Sequence, residues 1–220
     1  MLTRRINECC LTAMEKMKEL ICYTTSTASQ CIRFINIEQS SLKTFLFIDV
    51  SFGNSEGLAS QLVFLVTIGD QNGNKIILSY ESKKSGRGTK GFMAAELLAL
   101  VHGYDQAYIA KHMLEVMLQM MIPISAYINV RTVFNSVAKH TFMSDKRLAI
   151  HISALQGSLR CRELNSIGWT GSEDNVADSF TRLEIPKPGT ALLRLIDTSK
   201  LSIQINGLAK QIREGKDAFH

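Results

Sequence analysis

Residues 60–82 read SQLVFLVTIGDQNGNKIILSYES. Two β-prone runs flank DQNGN, and Asn72-Gly73 inside it is a strong hairpin signal because both residue types accept positive φ. Upstream, SLKTFLFIDVSF (41–52) is a further run of this kind with an acid embedded in it. Together they predict consecutive antiparallel strands over 41–52, 60–69 and 75–82.

Downstream the period changes. KKSGRGTKG (83–91) is a basic, glycine-containing loop, and FMAAELLALVHGYDQAYIAKHMLEVMLQM (92–120) has helical spacing, with Gly103 marking either a close packing point or a break. Pro123 precedes a short strand, ISAYI (124–128). Helices are expected over 130–138 and 146–161, and a strand over 163–170. Asn175 can cap a helix through 176–182. Pro186 and Pro188 interrupt regularity, and the tail is expected to form one more helix with a polar end. The order β-β-β-α-β-α-α-β-α predicts an α/β domain, a meander followed by helical crossovers into parallel strands. No internal repeat is present.

The N-terminal segment is different in kind. Leu2, Ile6, Cys9/Cys10, Ala13, Met17, Leu20 and Ile21 recur at three- and four-residue steps, so residues 3–22 read as an amphipathic helix in need of a partner surface, followed by the polar connector TTSTASQ (24–30). Charges at Glu8, Glu15, Lys16, Lys18 and Glu19 break up any signal-peptide core. The apolar window 113–124 contains Glu115, Gln119 and Pro123 and falls short of the roughly 20 residues of a membrane span. The expected setting is therefore intracellular, cytoplasmic or nuclear, and not secreted. Five cysteines, odd in number and without C-x-x-C or zinc spacing, agree with a reducing compartment. At 220 residues, 45% hydrophobic content and three prolines, the chain can bury one good core. Its net charge of +5 favours anionic partners without naming them.

Certain acids do not suit their surroundings. Asp49 interrupts FLFI-V-F, where a charge is rarely buried unless paired or bound to metal. Glu96 has Phe92, Met93, Ala99 and Leu100 at i±3 and i±4, which sets a carboxylate on an apolar stripe. Asp178 follows Asn175 by three positions, where an acid also serves a helix N-terminus. Taken singly, Asp49 also reads as a strand-end ion pair, Glu96 as a partly exposed edge residue and Asp178 as part of a cap. Taken together, converging carboxylates bind Mg²⁺, a hard cation that takes oxygen ligands beside a phosphate.

The ordered set FIDVSFGNSEGLASQ, FMAAELLALVHGYD, AYINVRTVFNSV, DKRLAIHI and IGWTGSEDNVADSFTR, over about residues 40–183, resembles the ribonuclease H domain of the Pol polyprotein of copia-type long-terminal-repeat retrotransposons of the fungal kind. The resemblance implies a ribonuclease H-like α/β fold with a mixed five-stranded sheet flanked by helices. It implies a magnesium-dependent endonuclease, with Mn²⁺ as an alternative ion, cutting the RNA strand of RNA–DNA hybrids during reverse transcription. Residues 1–40 resemble the tail of the reverse-transcriptase region, which makes that region a candidate partner; 41–184 form the nuclease-like domain and 185–220 an extension. The catalytic set maps onto Asp49, Glu96, the position of Asn129, and Asp178, with Asp49, Glu96 and Asp178 as metal ligands.

Asn129 departs from the family pattern, which has aspartate there. An amide offers one neutral oxygen and no charge, so weakened binding of a two-ion site and impaired cleavage are expected. The alternative is a catalytically inactive nucleic-acid- or protein-binding module, a degenerate retroelement fragment. Nucleic-acid contacts are expected from Lys83, Lys84, Arg87 and Lys90, with Ser51 and Asn54 beside Asp49 as candidates for 2′-hydroxyls, and Lys146 and Arg147 as further cations. The histidines form no ligand set, Trp169 reads as core, and the methionines of 113–121 read as packing.

Overall fold

The computed structural model describes residues 11–55, 59–85, 91–139, 145–182, 186–187 and 189–210. The chain divides between Ile32 and Arg33 into two compact units. The first contains α1 (Leu11–Ser26). Its Leu11, Met14, Leu20 and Ile21 are exposed. The helix runs further than expected into TTS, because the hydroxyls of Thr24 and Thr25 donate to the carbonyls of Leu20 and Ile21 and so satisfy themselves inside it. The expected start at residue 3 lies outside the described residues.

The second unit is built on a six-stranded sheet in the order β3-β2-β1-β4-β5-β6, from β1 (Lys43–Ser55), β2 (Ala59–Gly69), β3 (Lys75–Lys84), β4 (Ile124–Ile128), β5 (Leu164–Thr170) and β6 (Ile205–Lys210). The first three pair antiparallel, while β4 joins β1 and β5 joins β4 in parallel. Helices α2 (Phe92–Leu118), α3 (Arg131–Ala138) and α4 (Lys146–Arg160) supply the crossovers, and α5 (Ala191–Thr198) follows β5. The layout is a mixed α/β sheet flanked by helices.

The hairpin between β2 and β3 forms where Asn72-Gly73 predicts it, but by other means. Gly73 alone in the loop has positive φ, at 89°. The Asp70 carboxylate organises the turn, accepting from the backbone N–H of Asn72 and of Asn74 and from the Asn74 amide. The predicted helix over 176–182 is instead a short 3-10 turn, Val176–Phe180, capped by Asn175 as expected.

The tail carries the expected further helix, α5, and beyond it a strand not expected from the sequence, β6. It runs antiparallel to β5. The positions that face inward are Gly207 and Ala209, and a Cβ on Gly207 would come within 3.1 Å of the Phe134 ring. The inward face of the strand is thus made of the small residues its site demands, and it lacks the large apolar alternation by which strands are recognised.

Alternation along β1 divides the core. Leu46, Ile48 and Val50 pack beneath α2, α3 and α4, with Leu97, Leu100, Val133 and Leu155. Phe45 and Phe47 face the other way, against Tyr127, Val176, Leu195 and Leu201. Asp49 is in register with Phe45 and Phe47, so it meets the turn at 176–180. Gly103 is the close packing point: a Cβ there would lie 3.0 Å from Leu46 Cδ1 and from Phe64 Cβ. Gly103→Ala is therefore expected to destabilise by about 1–3 kcal/mol through overpacking, despite alanine's better helix propensity. A urea midpoint equal to or above that of the parent would contradict the packing argument.

Candidate active site

The site is assembled at one end of the sheet from β1, the end of β4, α2 and the turn after β5. In the parallel pair Phe47 lies opposite Tyr127, so Asn129, just past the end of β4, comes level with Asp49. The Asn129 Nδ2 donates to Asp49 Oδ1 at 2.6 Å. The Thr181 hydroxyl donates to the other oxygen, Asp49 Oδ2, at 2.5 Å. Asn175 ties the turn to β1 by donating its amide to the Ile48 carbonyl at 2.7 Å. Trp169, expected as core, is only partly buried against it; its indole N–H donates to the Asn129 carbonyl at 3.2 Å, and the Arg131 guanidinium stands over its ring.

Glu96 reaches the site from α2 and is fully buried, as its apolar stripe predicts. Among the described residues neither of its carboxyl oxygens has a hydrogen-bonding partner, and the Asn129 Oδ1 is likewise buried without one. Burial, and after it the charge of Asp49, pushes the Glu96 carboxyl up to about 9. Burial also raises the Asp49 carboxyl; the bonds from Thr181 and Asn129 oppose that, and the charge of Asp178 adds to it. Asp178 pairs with Arg182, its Oδ2 accepting from Nε at 2.5 Å. At neutral pH the pocket thus holds a protonated Glu96 next to an Asp49 whose oxygens are both taken by protein donors.

This arrangement does not suit two divalent cations. Asp49 would have to give up an N–H and an O–H donor, and Asp178 its guanidinium. Among the described residues no three His, Cys, Asp or Glu side chains stand in the geometry of a metal site. Among the described residues the oxygens of Glu96 and the Asn129 Oδ1 are left as buried acceptors without a donor, the kind of group a hard cation takes.

The expected basic grip is only partly described. Register runs Asp49 to Val63 to Ser82, so Lys83 and Lys84 lie two strands away at the same end of the sheet. Lys83 is engaged locally, 3.5 Å from Glu81 Oε2 and 2.6 Å from His102 Nε2. Arg87, Lys90 and the Asn54 side chain lie outside the described residues, as does His140. Ser51 is half-buried, two residues beyond Asp49, and Lys146 and Arg147 are exposed in the first turn of α4. Thr181 was not singled out by the sequence. Nothing in SFTR distinguishes a site hydroxyl from a surface one.

No protein-family model matches the chain, and no curated protein matches it. Among solved structures it is similar to LC11-RNase H1, isolated from compost by a metagenomic approach and determined in complex with an RNA/DNA hybrid, at 17% identity and a TM-score of 0.46, covering 63% of this chain and 93% of that one. The N-terminal RNase H domain of a Mycobacterium tuberculosis protein has 17% identity and a TM-score of 0.42, with 64% and 91% covered. The prototype foamy virus protease-reverse transcriptase has 12% identity and a TM-score of 0.42, with 68% of this chain and 21% of that one covered.

Proposed function

We propose that the chain is a retroelement-derived ribonuclease H-like domain that holds RNA–DNA hybrid, or a related nucleic acid, and hydrolyses it poorly or not at all. The observation that supports this reading is the hydrogen bond from the Asn129 amide to Asp49, a carboxylate raised by burial on a central strand. A donor stands where the family pattern has a third charged acceptor. Asp49 and Glu96 would hold a single Mg²⁺ or Mn²⁺ weakly; such an ion, when bound, would polarise a phosphate. Affinity for nucleic acid comes from the chain's excess of cations, with Lys84 half-buried, Lys146 and Arg147 exposed, and Arg87 and Lys90 following β3 in sequence. The exposed free thiols of Cys22, Cys31 and Cys161 favour a reducing, intracellular setting. Among the described residues no helix is long and apolar enough to cross a membrane.

The test uses a fluorescent RNA–DNA hybrid and the full chain. Binding is expected to weaken steeply with salt, and cleavage with millimolar Mg²⁺ or Mn²⁺ to stay near background. Efficient cleavage at ordinary metal concentration would overturn the loss of activity, and absence of salt-sensitive binding would overturn the nucleic-acid role.

A further inference from the structure

A second cavity, of about 480 Å³, opens at the opposite end of the sheet from Asp49. Register brings it together. Lys43 lies opposite Gly69, which lies opposite Lys75, while Ser125 pairs with Ser166 and Ser166 with Lys210. Lys200 completes a lining with four ammonium groups and a single acid, Asp70. That acid is already committed, since both its oxygens accept hydrogen bonds within its own turn. The cavity lining therefore carries a net positive charge, four ammonium groups against one carboxylate.

Lys75 is the informative member. It is 3% exposed, and its Nζ sits 4.2 Å from the centroid of the Phe45 ring. Among the described residues its ammonium has no hydrogen bond or ion pair. Burial lowers it to about 8, and Asp70 acts against that. A buried cation against an aromatic face, with one carboxylate shared among four lysines, is stabilised further when another negative charge arrives. The rest of the wall has a different character: Tyr127 stacks on Phe45 at 6.3 Å, and Ile203, Ile205 and Leu208 complete an apolar surface. A volume of this size accepts a small organic molecule.

We propose that this cavity binds an organic phosphate of nucleoside monophosphate size, its phosphate toward Lys75 and Lys43 and its planar part toward Tyr127 and the aliphatic wall. The site is separate from the acid pocket and does not depend on whether that pocket cleaves anything. The ligand is a nucleoside 5′-phosphate, which can be a free nucleotide or the phosphorylated end of a strand.

Calorimetric titration of the full chain with adenosine 5′-monophosphate, adenosine, inorganic phosphate and a 5′-phosphorylated oligonucleotide tests it. Adenosine monophosphate is expected to bind saturably, more tightly than phosphate and far more tightly than adenosine. Lys75→Met is expected to weaken it by about tenfold or more, the loss of one charge-assisted contact, without lowering the melting temperature. Lys43→Gln, at a half-exposed position, provides the same reading should the first variant fail to fold. A tighter oligonucleotide assigns the phosphate to a strand end; a tighter nucleotide assigns it to a free molecule. Absence of saturable binding, equal affinity for adenosine or for bare phosphate, or affinity unchanged in the folded lysine variants would overturn the proposal.

Discussion

Asn129→Asp is expected to raise Mg²⁺-dependent cleavage of the RNA strand of a hybrid by about a hundredfold or more over the parent chain. The substitution changes no volume. It replaces the N–H that donates to Asp49 at 2.6 Å by an oxygen. Two carboxylates at that separation repel by several kcal/mol at the effective dielectric of a partly buried site, so the variant must take up a proton or a cation. The same change supplies a further charged acceptor next to the orphaned oxygens of Glu96. If about 3 kcal/mol of transition-state stabilisation returns, the rate rises about a hundredfold. The variant should also melt lower than the parent in EDTA and gain more from millimolar Mg²⁺, since an ion held at a hundred times its dissociation constant contributes about 2.7 kcal/mol. Asn129→Ala, which removes the donor without adding an acceptor, should regain no activity. A folded Asn129→Asp protein no more active than its parent, in either metal, would mean that the amide is not what limits the site.

The fold was legible wherever a residue's role is local. Phe45, Phe47, Val63 and Leu65 alternate with large partners, and so announce strands whichever element lies above them. Glu96 was conspicuous because its i±3 and i±4 neighbours are apolar, and the structure buries it completely. Legibility failed where the deciding partner is remote in sequence. Thr181 donates to an oxygen 132 positions away, a contact no spacing rule encodes. Strand β6 is recognisable only once Phe134 has claimed the space over Gly207. The turn after β2 was foreseen, but the reason lay with Asp70 and not with a paired positive φ at Asn72-Gly73. Lys83 is the instructive case among the charges: its partner Glu81 is two residues away on the same strand face, whereas the shared contact with His102 on α2 needs the fold. Asp49 and Glu96 stand out in the sequence because each is out of place locally, whereas Asp178 suits a cap and joins them only in company. Which of their oxygens are already occupied is a property of the assembled pocket, and that decides the chemistry.

Glu96→Gln is expected to stabilise the protein at alkaline pH and to remove most of its loss of stability with rising pH. The Glu96 carboxyl stands at about 9 in the folded chain against an ordinary value of 4.5. Its folded pKa is raised, so its contribution is fully present below 4.5, where both states are protonated, and is lost as pH climbs toward 9 and the unfolded chain alone gives up its proton. Each unit of that interval corresponds to about 1.4 kcal/mol, so the parent is expected to lose several kcal/mol across it, reduced by relaxation around the charged form. For a domain of this size that is about 2–4 °C of melting temperature per kcal/mol. Asp49, also raised by burial, acts in the same sense, so the variant keeps a smaller slope of its own. Near pH 5 glutamine and protonated glutamic acid are alike in charge and shape, and the two proteins should melt within a few degrees of each other. By pH 8 to 9 the variant should melt higher by about 5–10 °C. Millimolar Mg²⁺ should flatten the parent's curve only to the extent that a cation enters between Asp49 and Glu96, and should leave the variant's curve nearly unmoved. Parallel melting curves for the two proteins across this range would show that Glu96 ionises freely in the folded state, and would place a counter-charge or water beside the two oxygens that otherwise stand without a partner.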